Sequence, residues 1–369
     1  MHGGNLLEAM EKYGKDSFID LSANINPFGP PEGVWQAIKE ALPKIVHYPD
    51  PEYRRLRKVM SEQYDLPEEY ILLGNGAGEL LFAILQAIHP KNVLIPSPAF
   101  GEYERAAIAC QAEVKRLILG HKGWASDCFP KKNEEDLIAF WTEKMKDTEL
   151  LFLNTPHNPT SSVLEKSHFE IILKIAKSFN TTVVIDESFV DFLDDDKRFT
   201  GREYLLDYPN LIVLYSLTKF YSIPGLRLGA VFASPDILGK VMEHRDPWVV
   251  NILAEEAGMV ALKDHDFPTR VRGLLLESKD YFIQAFAENN FSNYMLESSG
   301  VNFALLQIKT GQARDLVENL GRQGVLVRNC SNFIGLEGEF VRVAIKDIPS
   351  MEALIEGLRR CEDKVREND

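Results

Sequence analysis

The residues best suited to chemistry lie between positions 158 and 227. Lys219 closes the run Ser216-Leu217-Thr218-Lys219, Arg227 follows eight residues later in Pro224-Gly225-Leu226-Arg227-Leu228-Gly229, and Asp186 and Asn158 precede them. A lysine in a partly desolvated pocket gives up its proton and becomes an amine able to hold an aldehyde as a Schiff base. Asp186 ends the apolar run Thr182-Val183-Val184-Ile185, which reads as a buried strand. That places a carboxylate at a strand's C-terminal edge, where open α/β sheets bind ligands. Such a carboxylate suits a protonated ring nitrogen that draws in carbanion charge. Arg227 and the hydroxyls of Ser216 and Thr218 suit a phosphate. Asn158, in Thr155-Pro156-His157-Asn158-Pro159-Thr160, offers an amide donor to a phenolic oxygen. Aldehyde, ring nitrogen, phosphate and phenolic oxygen on one molecule describe pyridoxal 5′-phosphate (PLP). Taken singly, Lys219 is more simply a surface lysine and Asp186 a helix cap, since strongly buried lysine is rare; the ordered set is what points to the cofactor.

The segment Gly74-Asn75-Gly76-Ala77-Gly78-Glu79 follows the strand-like Tyr70-Ile71-Leu72-Leu73 and precedes a helical pattern. A strand, a glycine-rich turn and a helix form a phosphate cradle, with backbone N–H groups and the helix dipole facing the anion. Glu79 stands where a dinucleotide fingerprint needs its third glycine, and the Gly-Lys-Ser/Thr of a P-loop is missing. A tight turn without a ligand is the plainer account of this segment by itself.

The elements that must position these residues alternate. Helical patterns cover 33–42, 53–64 and 79–88; strand-like runs cover 70–73, 92–95, 149–153, 182–185, 211–215 and 228–233. That alternation predicts an α/β fold with a mainly parallel central sheet and helices on both faces. Helical patterns continue over 248–262 and 271–288. Strands at 303–308, 325–328 and 340–345 then surround a helix at 312–321, which predicts a smaller α+β C-terminal domain. The divisions expected are an N-terminal segment 1–35, a large domain 36–240 and a small domain 241–369. The charged stretch 351–366 reads as a terminal surface helix.

Composition bounds the reading. A chain of 369 residues exceeds the size at which one core stops growing. With 55 acidic against 41 basic residues the formal charge is −14, and the long-range field disfavours nucleic acid and anionic membranes as partners. Cys110, Cys128, Cys330 and Cys361 show no metal-ligand or redox spacing, so reduced thiols and no metal site are expected. Met1-His2-Gly3-Gly4-Asn5 lacks the regions of a signal peptide, and no stretch approaches a membrane span. The expectation is a soluble, cytoplasmic protein.

Asn158-Pro159-Thr160, Asp186-Glu187, Ser216-Leu217-Thr218-Lys219 and Arg227-Leu228-Gly229 resemble fold-type I PLP enzymes, especially the histidinol-phosphate aminotransferase branch. Within it, several segments look like the threonine-phosphate decarboxylases: His2-Gly3-Gly4-Asn5, Ser22-Ala23-Asn24-Ile25-Asn26-Pro27, Tyr48-Pro49-Asp50, Pro247-Trp248 with Asn251, Val327-Arg328-Asn329-Cys330 and Arg342-Val343-Ala344-Ile345. The resemblance runs from residue 2 to about residue 346.

The resemblance implies a carboxy-lyase converting O-phospho-L-threonine to carbon dioxide and (R)-1-aminopropan-2-yl phosphate for the nucleotide loop of cobalamin. The alternatives are histidinol-phosphate amino transfer and O-phospho-L-serine decarboxylation. It also implies that Ala77 and Gly78 hold the cofactor phosphate, that Phe100 stacks on its ring, and that Tyr48 reaches the phosphate in the neighbouring subunit of a homodimer. Lys219 and Asp186 would be catalytic. Arg328 and Arg342 offer planar forks to the substrate's two anions, with His2, Gly3, Asn24 and Asn158 completing the pocket under a folded-over N-terminal segment. Lys219 or a water would return the proton to the α-carbon. The chain departs from the aminotransferase pattern at Phe189, where a tyrosine is usual, at Ser161, where a glycine is usual, and at His157, where an asparagine is common.

Overall fold

The computed structural model describes residues 3–120, 134–194 and 200–368. The chain enters through α1 (Leu6–Tyr13), β1 (Ile19–Asp20), α2 (Glu32–Ala41) and α3 (Arg54–Tyr64). Strands and helices then alternate: β2 (Ile71–Gly74), α4 (Ala77–Ile88), β3 (Asn92–Ser97), α5 (Gly101–Ala109), β4 (Glu113–Ile118), α6 (Glu134–Met145), β5 (Leu150–Asn154) and α7 (Lys166–Phe179). After them come β6 (Thr182–Asp186), β7 (Leu211–Ser216), the single turn α8 (Leu217–Phe220), β8 (Gly229–Ala233) and α9 (Pro235–Glu243). The remainder forms α10 (Ile252–Lys263), α11 (Phe267–Glu288), β9 (Tyr294–Ser298), β10 (Phe303–Ile308), α12 (Ala313–Arg322), β11 (Val325–Leu326), β12 (Arg328–Asn329), β13 (Glu339–Ala344) and α13 (Ile348–Asn368).

The larger sheet has seven strands in the order β2-β8-β7-β6-β5-β3-β4, and β8 alone runs against the others. Its central strands are buried on both faces, so they read as continuous apolar runs. The period of two still operates. Leu151, Leu153, Val183, Ile185 and Val213 enter the core shared with α3, α6, α7 and α10, whereas Leu150, Phe152, Val184 and Ile212 enter the one shared with α4, α5 and α9. A second, antiparallel sheet has the order β12-β13-β10-β9 and packs one face on α11, α12 and α13. The N-terminal segment is stitched to this second unit, because β1 pairs in parallel with β11.

The mainly parallel sheet wrapped by helices and followed by a smaller α+β unit is the fold class the sequence predicts. Beyond the helices α1, α5, α6, α7, α8 and α9 and the strands β1 and β9, for which the sequence reading gives no expectation, several elements differ from their expected form. β4 was not anticipated: half of Glu113–Ile118 is charged, because this is an edge strand that turns residues to solvent. The helix expected from Trp248 begins at Ile252, where Asn251 caps it by accepting a hydrogen bond from the Ala254 N–H at 2.9 Å. The strand expected over 325–328 divides, Val325–Leu326 pairing with β1 and Arg328–Asn329 with β13. The terminal helix is not merely a surface element: Met351, Leu354, Ile355, Leu358 and Cys361 form an apolar stripe packed under the small sheet. No helix among the described residues is long and apolar enough to cross a membrane.

Candidate active site

The C-terminal ends of β5, β6 and β7 open into a cavity of about 490 Å³. Asn154, Asp186 and Ser216 are the last residues of those strands, and α4 aims its N-terminus at the same space through Ala77 and Gly78. The first N–H groups of a helix have no partner within the helix and so favour an anion. Gly76 caps α4 at φ +80°, and a side chain there would come within 2.5 Å of the Arg227 guanidinium. Gly229 is required for a different reason: its β-carbon would lie 2.5 Å from the Ala77 nitrogen, so β8 abuts the start of α4 only as glycine. Arg227 is therefore laid over the helix N-terminus by backbone geometry, and among the described residues it has no acidic partner.

Lys219 projects from α8, the turn that leaves β7. Its Nζ donates to Ser216 Oγ at 3.0 Å, and Ser216 Oγ and Thr218 Oγ1 lie 2.8 Å apart. Burial pulls the amine down to about 8; nearby Asp186 pulls upward, and Arg227 and Arg342 lower it further. Asp186 is held on both oxygens. Oδ2 accepts from the Tyr103 hydroxyl at 2.7 Å, and Oδ1 accepts from the Ser188 N–H at 2.9 Å. Neighbouring Glu187 belongs to a separate buried cluster. It accepts from Gly201 N–H and Thr200 Oγ1, both at 2.6 Å, with Arg202 Nε at 3.7 Å. Burial pushes its carboxyl up while Arg202 pulls it down.

On the opposite wall, β12 and β13 place Arg328 directly across from Arg342. Arg342 Nη1 donates to Asn158 Oδ1 at 2.5 Å and Nη2 to the Ser22 carbonyl at 3.0 Å, while its buried Nε has no hydrogen-bond partner. Burial, with Arg328 nearby, lowers the Arg342 guanidinium to about 10. Arg328 donates to Asn332 Oδ1 at 2.8 Å and lies over the Phe333 ring at 5.7 Å. Neither arginine has a carboxylate ion-pair partner among the described residues. Asn24 is buried beside them, and neither of its side-chain atoms has a hydrogen-bond partner among the described residues. Two adjacent cations and an unsatisfied amide form a site built for a doubly anionic ligand.

The cavity thus brings together every site residue expected from the sequence except two. His2 lies outside the described residues. Tyr48 is 80% exposed, away from the lining, and packs on Trp248 with ring centroids 4.9 Å apart. Sequence reasoning missed Tyr103, Ser22, Phe333, Glu102 and Arg105, which join the site through tertiary contacts, and Ser188, which bonds Asp186 two residues away. Tyr103 carried some signal, three residues after Phe100. Phe189 lines the cavity, with Lys219 Nζ 5.7 Å from its ring, so no hydroxyl is supplied from that position.

The donor set suits PLP: an amine close to neutral, a fixed carboxylate at a strand end, and a helix N-terminus roofed by an arginine. Among the described residues no cluster could hold a metal ion.

Comparison with known proteins agrees with this geometry. The model of the class I and II aminotransferases matches residues 16–358. The threonine-phosphate decarboxylase of Salmonella typhimurium is 35% identical over 97% of this chain and 95% of its own. The adenosylcobalamin biosynthesis bifunctional protein of Leptospira interrogans is 32% identical over 94% of this chain and 39% of its own length. The crystal structure of L-threonine-O-3-phosphate decarboxylase from Porphyromonas gingivalis superposes with a TM-score of 0.79 at 27% identity, covering 92% of this chain and 98% of that one. Histidinol-phosphate aminotransferases also stand among the relatives and the solved structures.

Proposed function

The chain belongs to the class I and II aminotransferase family, and from that premise we propose that it is a PLP-dependent decarboxylase of O-phospho-L-threonine. Its products would be carbon dioxide and (R)-1-aminopropan-2-yl phosphate, destined for the nucleotide loop of cobalamin; the named relatives support this reading. The observation that carries it is the Arg328 and Arg342 pair, which faces Lys219 across the cavity with no carboxylate ion-pair partner among the described residues. A substrate bearing a carboxylate and a phosphate satisfies both forks and the unpaired Asn24 amide.

In this proposal Lys219 carries the cofactor, Asp186 faces its ring nitrogen and Phe100 covers one face. Ala77, Gly78, Ser216, Thr218 and Arg227 hold its phosphate. Asn158 Oδ1 is engaged by Arg342, which leaves Nδ2 as the donor to the phenolic oxygen. When bound, PLP supplies the sink for the electron pair left on the α-carbon as the carboxylate departs. The protein's part is orientation: Arg342, Arg328 and Asn24 fix both anions, so that the bond to the carboxylate is the one presented for cleavage. A proton from Lys219 Nζ or from a water would take the place of carbon dioxide on the α-carbon, and the product amine would leave when Lys219 holds the aldehyde again. Gly3, beside Ser22, would cover the substrate, and the resemblance assigns His2 the same task. We place the reaction in the cytoplasm and in a homodimer in which Tyr48 reaches the partner's cofactor phosphate.

The test is carbon dioxide release from O-phospho-L-threonine and O-phospho-L-serine by purified holoenzyme, with histidinol phosphate and 2-oxoglutarate in parallel. Stoichiometric release is expected, faster from phosphothreonine. A pocket that senses one methyl separates the two substrates by only about 1–3 kcal/mol. Amino transfer without gas release would replace this reading with the aminotransferase one.

A further inference from the structure

The turn between β5 and α7 carries Asn158, and next to it stands His157. His157 is 1% exposed and does not line the cavity. Its Nε2 lies 2.8 Å from the Pro98 carbonyl and its Nδ1 lies 2.7 Å from Thr160 Oγ1. A carbonyl only accepts, so Nε2 carries the hydrogen and Nδ1 accepts from the threonine hydroxyl. The main chain of His157 closes the same turn, donating to the Ser162 carbonyl and accepting from Ser161 N–H, both at 2.7 Å.

Pro98 belongs to the other loop of the site, two residues before Phe100. The imidazole therefore joins the loop bearing Phe100 to the turn bearing Asn158. From Asn158 the connection continues in two directions. Its N–H donates to Asn154 Oδ1 at 2.9 Å, and Asn154 Nδ2 donates to the Asp186 carbonyl at 2.8 Å. Its Oδ1 receives Arg342.

We propose that His157 is a positioning residue: it fixes the Asn158 turn against the Phe100 loop and so sets Arg342 relative to the cofactor face of the cavity. The imidazole acts as a neutral strut. Burial lowers it to about 3, so it stays neutral at working pH, and the Pro98 carbonyl keeps the hydrogen on Nε2. It is not an acid or base of the reaction, because both nitrogens are bonded inside the protein. An apolar ring would fill the same volume but could not hold two loops in register.

The inference rests on the decarboxylase reading only for its choice of substrate. Its test compares His157→Phe and His157→Gln with the unaltered holoenzyme. Three quantities are read: visible circular dichroism of the bound PLP, PLP retention on dilution, and KM and kcat for O-phospho-L-threonine. His157→Phe keeps the bulk and removes both bonds. It is expected to raise KM about tenfold, the effect of one buried hydrogen bond, with kcat within about threefold. The dichroic band should shrink and retention should fall. His157→Gln can still donate to Pro98 and should recover most of each signal. A phenylalanine variant with unchanged KM, dichroism and retention, whatever its melting temperature, would overturn the proposal and leave His157 as core filling. Should His157→Phe not fold, Thr160→Val decides together with Ser162→Ala as its control, since the Thr160 hydroxyl also lies 3.0 Å from Ser162 Oγ; dichroism and KM unchanged in Thr160→Val, or altered no further than in Ser162→Ala, would equally overturn the idea. Absence of carbon dioxide release from the unaltered enzyme would defeat the decarboxylase reading alone, because dichroism and retention still judge His157.

Discussion

At the scale of single residues, desolvation is the effect that prepares the site. Lys219 titrates near 8 rather than at the ordinary lysine value, so its neutral fraction rises about tenfold between pH 7 and pH 9. The rate at which apoprotein takes up PLP, followed by visible absorbance, should rise by the same factor and then level off; a rate flat over that range would contradict the depressed amine. The linked stability has a definite sign. Above pH 8 and below the usual lysine value, the unfolded chain binds a proton that the folded chain does not, so this group's contribution to stability rises with pH across that window. Lys219→Ala should abolish turnover and the visible band, and a near-normal rate would refute the assignment. Arg342→Lys loses the fork that serves both Asn158 and Ser22. With charge-assisted bonds worth about 1.5–3 kcal/mol, KM should rise roughly ten- to a hundredfold while PLP retention changes little. Steady-state kinetics beside a cofactor titration separates the two.

At the scale of elements, the site depends on how closely backbones approach. Gly229→Ala would drive a methyl into the Ala77 nitrogen, and overpacking of this kind costs about 1–3 kcal/mol. The start of α4 must yield, so PLP retention should drop more than the melting temperature suggests. Equal retention would show that the helix N-terminus does not hold the phosphate. Ser161, where a glycine is usual, adopts φ +59° and accepts a hydrogen bond from Gly300 N–H at 2.7 Å. The hydroxyl ties the Asn158 turn to the second sheet and offsets the strain of a left-handed residue. Ser161→Gly removes a bond worth about 0.5–1.5 kcal/mol and relieves a conformational cost of similar size. Its stability in urea should stay within about 1 kcal/mol of the parent. Most of these elements were legible because doubly buried strands concentrate β-branched residues. β4 was not, since an edge strand dilutes the pattern with charge.

At the scale of the molecule, the charge is divided. A net charge of −14 surrounds a cavity lined by Lys219, Arg105, Arg227, Arg328 and Arg342 against the acids Asp186 and Glu102, so anion binding is a short-range property of the pocket and not of the overall field. Trp35, Ile45, Val46 and Tyr48 leave an apolar surface on α2 and the segment after it, which suits association of two copies. Light scattering should report a particle of two 41.8 kDa chains. If Tyr48 reaches the partner's phosphate, Tyr48→Phe should leave that mass unchanged and weaken PLP retention about three- to tenfold, the effect of one hydrogen bond. A monomer would leave Tyr48 as a packed aromatic on Trp248.

The sequence alone determined the order of six of the seven strands of the central sheet and, by resemblance, which residues around Lys219 to propose for the site. Strand periodicity and short motifs are local properties, written in consecutive residues. The tertiary structure decided what depends on residues far apart: that Arg328 stands opposite Arg342 with no carboxylate among the described residues to pair it, that Tyr103 holds Asp186, and that His157 reaches Pro98. No spacing encodes those contacts. They arise when sheet packing folds distant loops onto one rim, and there desolvation converts ordinary side chains into a site.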